Sequence, residues 1–391
     1  MKWPLVEIDK VAQVNPRLPK GIDETQIVSF IGMASVSEDG KLLSEEDRVL
    51  AETKKGFTYF TRQDVLLAKI TPCFENGKCL HAGQISHEVG FGSTEFHVIR
   101  ANPDELDAKY LFYLVWNNSF RFYGQHSMSG AAGQKRVSAD FIKKFKIPLP
   151  PLKEQKRIAA ILNKANNLRR KRQQTIQLAD EFLRAVFLDM FGGGKFPRVT
   201  IGEICDVKGG KRLPKGEEYA NSKTNHAYLR VVDFKNRGID TRGLKYISEA
   251  THKKIRRYVI SHEDVYISIA GTIGLAGIVP AELSGSNLTE NAAKLVIRDK
   301  GSVCNEYLAF WLSTPDAQRQ IKAKTMLTSQ PKLALFRIEE LEVPLPKYQE
   351  QIRFLKIKNR LEKGYFYLED SRSQGMELFN ALSQKAFSGE L

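Results

Sequence analysis

The sequence predicts an α/β (α+β) protein built as a pseudo-two-fold internal repeat: two mixed domains separated by two long helices, the helices packed as an antiparallel coiled coil. Three observations carry this prediction. First, "IPLPPLKEQKRI" at 147–158 is answered 196 positions later by "VPLPKYQEQIRF" at 343–354. Second, short apolar runs rich in branched residues read as strands: "DVLLAKI" at 64–70, "DVYISIA" at 264–270, "FHVIR" at 96–100 and "KLVIR" at 294–298. Third, after each Pro-Leu-Pro the apolar residues recur at steps of three and four on a charged background, the signature of a helix with a packing seam.

In chain order, residues 1–147 form the first mixed domain, with a short helix expected at 104–118. Residues 148–194 carry the first long helix. Pro148 and Pro150 cannot sit inside it, Pro151 suits its first turn, and Gly192, Gly193 and Gly194 supply the stop. Residues 195–343 form the second domain, with a helix expected at 305–324, and residues 344–391 carry the second long helix. At the offset of 196 the match runs gapless for about forty-five positions. A helix requires this, since an insertion would rotate every later side chain off its face. Upstream the offset drifts: "RLPKG" recurs at 17–21 and 212–216, "TE" at 94 and 289, "YL" at 110 and 307, and Gln134 faces Gln330.

The first seam reads Ile158, Ile161, Ala165, Leu168, Arg172, Thr175, Ala179, Phe182 and Val186. The second reads Phe354, Ile357, Leu361, Leu368, Leu378 and Leu382, with Gly364, Ser371 and Gly375 between them. A mid-helix glycine costs about 1 kcal/mol relative to alanine. These two glycines therefore imply either a neighbouring helix that comes close or a second helix that bends or breaks. A helix of about forty residues at ~1.5 Å per residue spans roughly 60 Å. With a domain at each end and seams that return on each other, the halves acquire an approximate two-fold axis, the symmetry of duplex DNA.

Charge points the same way. The chain of 391 residues has 60 Lys and Arg against 45 Asp and Glu, a net +15, and the excess is clustered. Residues 208–257 hold fourteen basic residues against five acidic ones, and residues 153–172 hold eight against Glu154 alone. A surface that tracks phosphates needs such patches, whereas a merely basic soluble protein does not. The opening "MKWPLVEIDK" lacks the apolar core of a signal peptide, and four cysteines are too sparse for a disulfide scaffold, so the cytoplasm is expected. The uncharged stretch 265–281 falls short of the ~20 residues of a spanning helix and contains three glycines and a proline, so no membrane association is expected.

The twice-repeated Pro-Leu-Pro, Glu-Gln and long-helix cassette, with "ITPCFENGK" at 70–78, "GSTEFHVIR" at 92–100, "AGTIG" at 270–274 and the closing "QKAFSGEL", resembles the specificity subunit of type I restriction-modification enzymes. The resemblance covers essentially the whole chain. It implies two target recognition domains, separated by helices that act as a ruler and dock two modification subunits. Those partners would bind S-adenosylmethionine and methylate adenine, and restriction subunits would add ATP- and Mg-dependent translocation and cleavage, so no cofactor is expected on this chain. The implied target is double-stranded DNA, two short sequences with a fixed gap. "ENGK" and "GSTEF" occur only in the first domain and "AGTIG" only in the second, so the half-sites should be unlike and the target asymmetric.

A methyltransferase fused to its reader would need an Asn/Asp-Pro-Pro-aromatic loop; "NPRL" and "NPDE" lack the second proline and the aromatic. "GAAGQKR" and "GGGKFP" have neither the spacing nor the Ser/Thr of a Walker loop. The chain is therefore read as non-catalytic, with a non-DNA assembly scaffold, or the reader module of a fused methyltransferase, as the alternatives. A zinc site from Cys73, Cys79, His81 and His87 has no usual finger spacing, and no metal is expected.

Candidate DNA contacts are Gln134, Lys135 and Arg136 of "GAAGQKR" and Gln330 and Lys332 of "TSQPKL", read as equivalent loops. Gln can read adenine bidentately, and Lys or Arg can read guanine or grip phosphate. Lys211, Arg212, Lys215, Arg230, Lys235 and Arg237, with Thr272, form the expected surface of the second domain. Asn76, Lys78, Ser93 and Thr94 are the looser counterpart in the first. For each, an ordinary solvated loop or charged face is the plainer alternative. Glu154, Gln155 and Arg157, with Glu350, Gln351 and Arg353, are assigned to helix packing, helix capping or partner docking, which the sequence does not rank.

Overall fold

The computed structural model describes residues 3–131, 133–326 and 330–390, with the side chains of 365–378 outside that description. The chain forms two compact units, residues 1–174 with 369–391 and residues 175–368, so each unit takes part of both long helices.

Each unit contains the same three sheets. In the first, Leu5–Glu7 pairs with Lys146–Pro148. A four-stranded antiparallel sheet follows in the order Ala12–Val14, Phe96–Ala101, Val65–Ala68, Cys79–His81. A second sheet runs Glu46–Val49, Ile27–Ile31, Val89–Gly92, Thr58–Thr61, its central pair parallel. The second unit repeats this strand for strand. Arg198–Thr200 pairs with Glu342–Pro344, and one sheet runs Cys205–Gly209, Ala292–Ile297, Val265–Ser268, Ala276–Ile278. The other runs Lys245–Tyr246, Ala227–Leu229, Ser286–Leu288, Val259–Ile260, again with a parallel central pair. The runs 65–68 and 265–268 are buried throughout, as central strands covered on both faces must be. Each is preceded by an aspartate that accepts the backbone N–H three residues earlier, Asp64 from Thr61 at 2.7 Å and Asp264 from Ser261 at 2.9 Å.

The helices expected at 104–118 and 305–324 are each divided in two. Ala108–Trp116 is followed by Asn118–Ser127, and Asn305–Leu312 by Pro315–Lys324. The break is local capping: Asn117 accepts from the Ser119 N–H, and Thr314 caps a helix whose first residue is proline.

The repeated Pro-Leu-Pro is a strand and a joint. It pairs with the opening strand of its own unit, and the Pro148 and Pro344 carbonyls accept the hydroxyls of Tyr110 (2.9 Å) and Tyr307 (2.7 Å). The glutamine that follows is fully buried in both copies. Gln155 accepts the Asp107 N–H and donates to the Glu105 and Pro150 carbonyls, all at 2.8 Å. Gln351 accepts the Cys304 N–H at 2.8 Å and donates to Ser302 and Pro346 at 2.8 and 3.0 Å. One amide thus fastens the start of the long helix to the start of the short one.

The long helices run Leu152–Phe191 and Tyr348–Ser388, the second unbroken through Gly364 and Gly375. Within the first unit they are antiparallel. Phe387 lies 5.7 Å from Tyr110, beside Pro148, while Phe379 lies 5.5 Å from Trp116, over which Arg169 stacks. Within the second unit Phe187 and Phe191 meet Phe354 at 5.2 and 5.9 Å. The first seam differs from expectation. The buried line is Ile158, Leu162, Asn166, then Ala179, Leu183, Phe187 and Phe191, whereas Leu168 and Phe182 are 49% and 54% exposed. Asn166 is buried in the seam because its side-chain oxygen accepts from Arg169, and an apolar criterion rejects that line for its neighbour. A Cβ on Gly364 would meet nothing within 4 Å among the described residues, so close helix approach does not explain that glycine. The Leu368, Ser371 and Leu378 side chains lie outside the described residues.

A hairpin tip fixes the sheets of each unit to a long helix of the same unit, with opposite polarity. In the first unit Asp39 meets Arg170 at 3.1 Å; in the second Arg237 meets Asp180 at 2.7 Å. Asp39→Arg is expected to destabilise the first unit by on the order of 1 kcal/mol after solvent screening. Adding Arg170→Asp should recover more than half of the loss, as read by denaturant unfolding.

Candidate nucleic-acid interface

At one end of the Ala12–Val14 sheet, Val14 and Ala68 leave while Phe96 and Cys79 enter, so the connections 15–26, 69–78 and 93–95 gather there. A fourth segment joins them. Arg136 bridges both Ile70 and Ser129, and Val137 N–H donates to the Lys69 carbonyl at 2.9 Å. The second unit builds the same edge. Gly209 and Ser268 leave, Ala292 and Ala276 enter, Lys332 bridges Ala270 and Met326, and Leu333 N–H donates to Ile269. Arg136 and Lys332, expected as equivalents, thus occupy one structural position. Ala132, Thr328 and Ser329 of those two loops lie outside the described residues.

Three motifs of the first unit meet at this edge. Arg136 holds Glu95 in a two-point ion pair at 2.8 and 3.0 Å, which keeps the Glu95 carboxyl below the ordinary glutamate range. Thr71 N–H donates to the Lys135 carbonyl. Buried His97 ties the edge together, with its Nδ1 3.1 Å from the Asn15 amide and its Nε2 2.9 Å from the Val137 carbonyl. Burial lowers its pKa, so the neutral ring accepts from Asn15 and donates to Val137. Thr71, Glu75, Gln125, His126, Met128 and Lys135 line a cleft of about 550 Å³ beside the loop. Gln134, Lys135 and Thr94 are exposed. Ser93 accepts from Glu95 N–H, and exposed Asn76 donates to Glu38. Lys78 donates to the Met33 carbonyl at 3.0 Å, which anchors its loop.

In the second unit Lys211, Arg212, Lys215, Thr272, Gln330 and Lys332 are exposed around the corresponding edge, Arg212 pairing with Glu290 at 2.8 Å. Three other basic candidates are engaged elsewhere. Arg230 is drawn inward onto Asp233 (2.7 Å) and the Gly243 carbonyl. Arg237 lies over the Phe310 ring and on Asp180, its side chain 18% exposed. Lys235 pairs with Asp240 at 2.8 Å. For Arg230 and Arg237 the phosphate-facing expectation is corrected to packing. Charge counted along the sequence does not reveal which cations already have an internal partner.

The Thr-Glu coincidence at 94 and 289 is corrected as well. The ladders pair Phe96 with Ala68 and Ala292 with Ser268, which sets Thr289 opposite Ser93 and Glu290 opposite Thr94. The first unit carries Arg17 and Lys20, both exposed, where the second carries Arg212 and Lys215. The repeated "RLPKG" was the signal for them. Of the helix-start residues, Gln155 and Gln351 are internal. Glu154 pairs with Arg157 at 2.7 Å, Glu350 accepts the Lys347 N–H, and Arg353 is exposed.

The possible metal residues disperse. Cys79 is buried and its thiol pushed far up by burial, His81 is pushed down to about 4 by burial, and His87 pairs with Asp47. Among the described residues no group of three or more such side chains could hold a metal ion, and no helix is long and apolar enough to cross a membrane.

The family described as type I restriction modification DNA specificity domain matches residues 2–178 and 195–375, one copy per repeat. The chain belongs to this family. Among curated members of the DNA specificity domain family, the type I restriction enzyme EcoEI specificity subunit of Escherichia coli is 37% identical over 164 residues, 41% of this chain and 27% of that protein. The EcoAI specificity subunit, also from Escherichia coli, is 39% identical over 157 residues, 40% of this chain and 26% of that protein. The match therefore spans about a quarter of the length of either relative. The crystal structure of the type I restriction-modification S subunit from M. genitalium superposes with a TM-score of 0.57 at 18% identity, covering 99% of this chain and 96% of that one, which establishes the shared fold.

Proposed function

We propose that this chain is the DNA-reading specificity subunit of a type I restriction-modification complex, each unit reading one half of an asymmetric, bipartite duplex target. One observation carries the reading: the same sheet edge, built twice, presents exposed Lys, Arg and Gln side chains on two of its converging loops, around residues 17–20 and 134–136 in the first unit and 211–215 and 330–332 in the second. Basic side chains supply sequence-independent affinity, and glutamine with arginine can distinguish bases. The loops that differ between the units, 93–95 against 289–291 and 69–78 against 269–275, support unlike half-sites.

The chemistry is assigned to partners. Modification subunits would carry S-adenosylmethionine, and restriction subunits ATP and Mg. The long helices are the proposed docking surface. Leu178, Phe182 and Leu188 are exposed on the first helix in the second unit, Leu188 to 68%, and Glu154, Arg157 and Arg353 stand at the helix starts. That apolar face also favours a second reading, a scaffold that only assembles proteins. The two readings part on one measurement. A DNA reader binds duplex with an affinity that falls steeply between 50 and 200 mM salt, to the extent set by its phosphate contacts, whereas the scaffold shows no such dependence. Within the DNA reading, Arg136→Ala should impair the first half-site alone and Lys332→Ala the second alone, each lowering the salt slope by about 1 if the contact is to phosphate. Loss at both half-sites from either change would sink the modular assignment. Unchanged affinity and slope would remove these two residues from the interface.

A further inference from the structure

The five residues "RLPKG" form the same turn in both units. At 17–21 the turn follows Asn15, whose N–H donates to the Val98 carbonyl at 2.7 Å. At 212–216 it follows Gly210 and Lys211, whose N–H groups donate to Ala292 and Leu288 at 2.9 and 2.8 Å. Leu18 packs on Val28, Leu50 and Tyr59, and Leu213 on Tyr228, Ile247 and Ile255. Gly21 and Gly216 have φ of 79° and 84°, and a Cβ on either would meet nothing within 4 Å. Glycine is therefore required there by backbone direction, and close packing has no part in it. Leu, Pro and Gly suffice for this shape. Among the described residues Arg17, Lys20 and Lys215 form no ion pair, Arg212 reaches Glu290 on the neighbouring loop, and all four are exposed.

The other loops at the two edges differ in sequence, which is what unlike half-sites demand. An element that is identical in both readers cannot distinguish those half-sites, but it can bind what both contain, the sugar-phosphate backbone. We propose that the two "RLPKG" turns are a repeated phosphate clamp, Arg17 and Lys20 in the first unit and Arg212 and Lys215 in the second, which sets the position of each unit on the duplex while the dissimilar loops read bases. The proposal rests on the DNA reading above. It adds Arg17 and Lys20 to the interface and separates positioning residues from reading residues. The two copies are not electrostatically equal. Arg212 is shared with Glu290, whereas the position equivalent to Glu290 in the first unit is Thr94, which carries no charge, and Arg17 and Lys20 form no ion pair among the described residues. The first clamp should therefore contribute the larger salt slope.

The test uses the full chain and a fluorescent duplex selected by the wild-type protein from a random pool, with an unselected duplex beside it. Arg17→Gln/Lys20→Gln should lower the slope of log affinity against log salt by about 2, and Arg212→Gln/Lys215→Gln by less, since each phosphate contact contributes ~0.9. Both variants should weaken the selected and unselected duplexes by the same factor and select the wild-type consensus from the pool. Arg17→Lys should retain the slope, and unchanged thermal unfolding shows that the turn still folds. An unchanged slope in both variants, or a consensus altered at one half-site, overturns the clamp. Wild-type protein without salt-dependent duplex binding overturns the DNA reading itself.

Discussion

Gln155→Ala and Gln351→Ala should each destabilise their unit by on the order of 3–5 kcal/mol, among the largest effects of any single polar substitution in this chain. Each removal strips three backbone groups of their side-chain partner, one of them in a fully buried bond and two in partly buried ones. For Gln155 these are the Asp107 N–H and the carbonyls of Glu105 and Pro150; for Gln351 they are the Cys304 N–H and the carbonyls of Ser302 and Pro346. An unsatisfied buried donor or acceptor costs about 1–3 kcal/mol. Gln→Glu should be as damaging, because a carboxylate would confront two carbonyl oxygens. Denaturant unfolding of the full chain measures both, and a loss under about 1 kcal/mol would show that the joint relaxes around the missing amide.

Inserting four residues after Arg172 should lengthen the preferred gap between half-sites. Four residues add ~6 Å of helix, roughly two base pairs at ~3.4 Å each. Affinity for the original spacing should fall at least tenfold, because one half-site is then held off its bases and mismatched positions cost ~1–3 kcal/mol each. Selection from pools that differ only in gap length reads the change directly. If the preferred gap does not move, the helices are not a ruler.

The legible parts of this fold were those in which sequence and geometry share a period. From Leu152 onward the gapless repeat is a helix on which a residue's face follows from its number, so the equivalence of Gln155 and Gln351 is legible from the offset alone. Arg136 and Lys332 kept the same offset because short ladders fix both loops. The sheet order was not legible. Its central parallel pair joins Ser29 to Gly90 and Tyr228 to Asn287 across some sixty residues, and no local pattern reports such a partner. The first seam was misplaced because Asn166 is buried through a hydrogen bond, which hydropathy cannot register. Arg230 and Arg237 counted as surface charge for the same reason, their carboxylate partners being a matter of tertiary contact.

The division of the helices between the units has a consequence for synthesis. The second unit is one uninterrupted stretch, residues 175–368, so all of it is synthesised before residues 369–391. The first, although it begins the chain, also needs residues 369–391. Until Phe379 and Phe387 arrive, Tyr110, Tyr113 and Trp116 lack the aromatic neighbours that cover them. The recognition fold made first is therefore completed last, and a nascent chain halted before Phe379 carries one finished unit and one with an open aromatic seam.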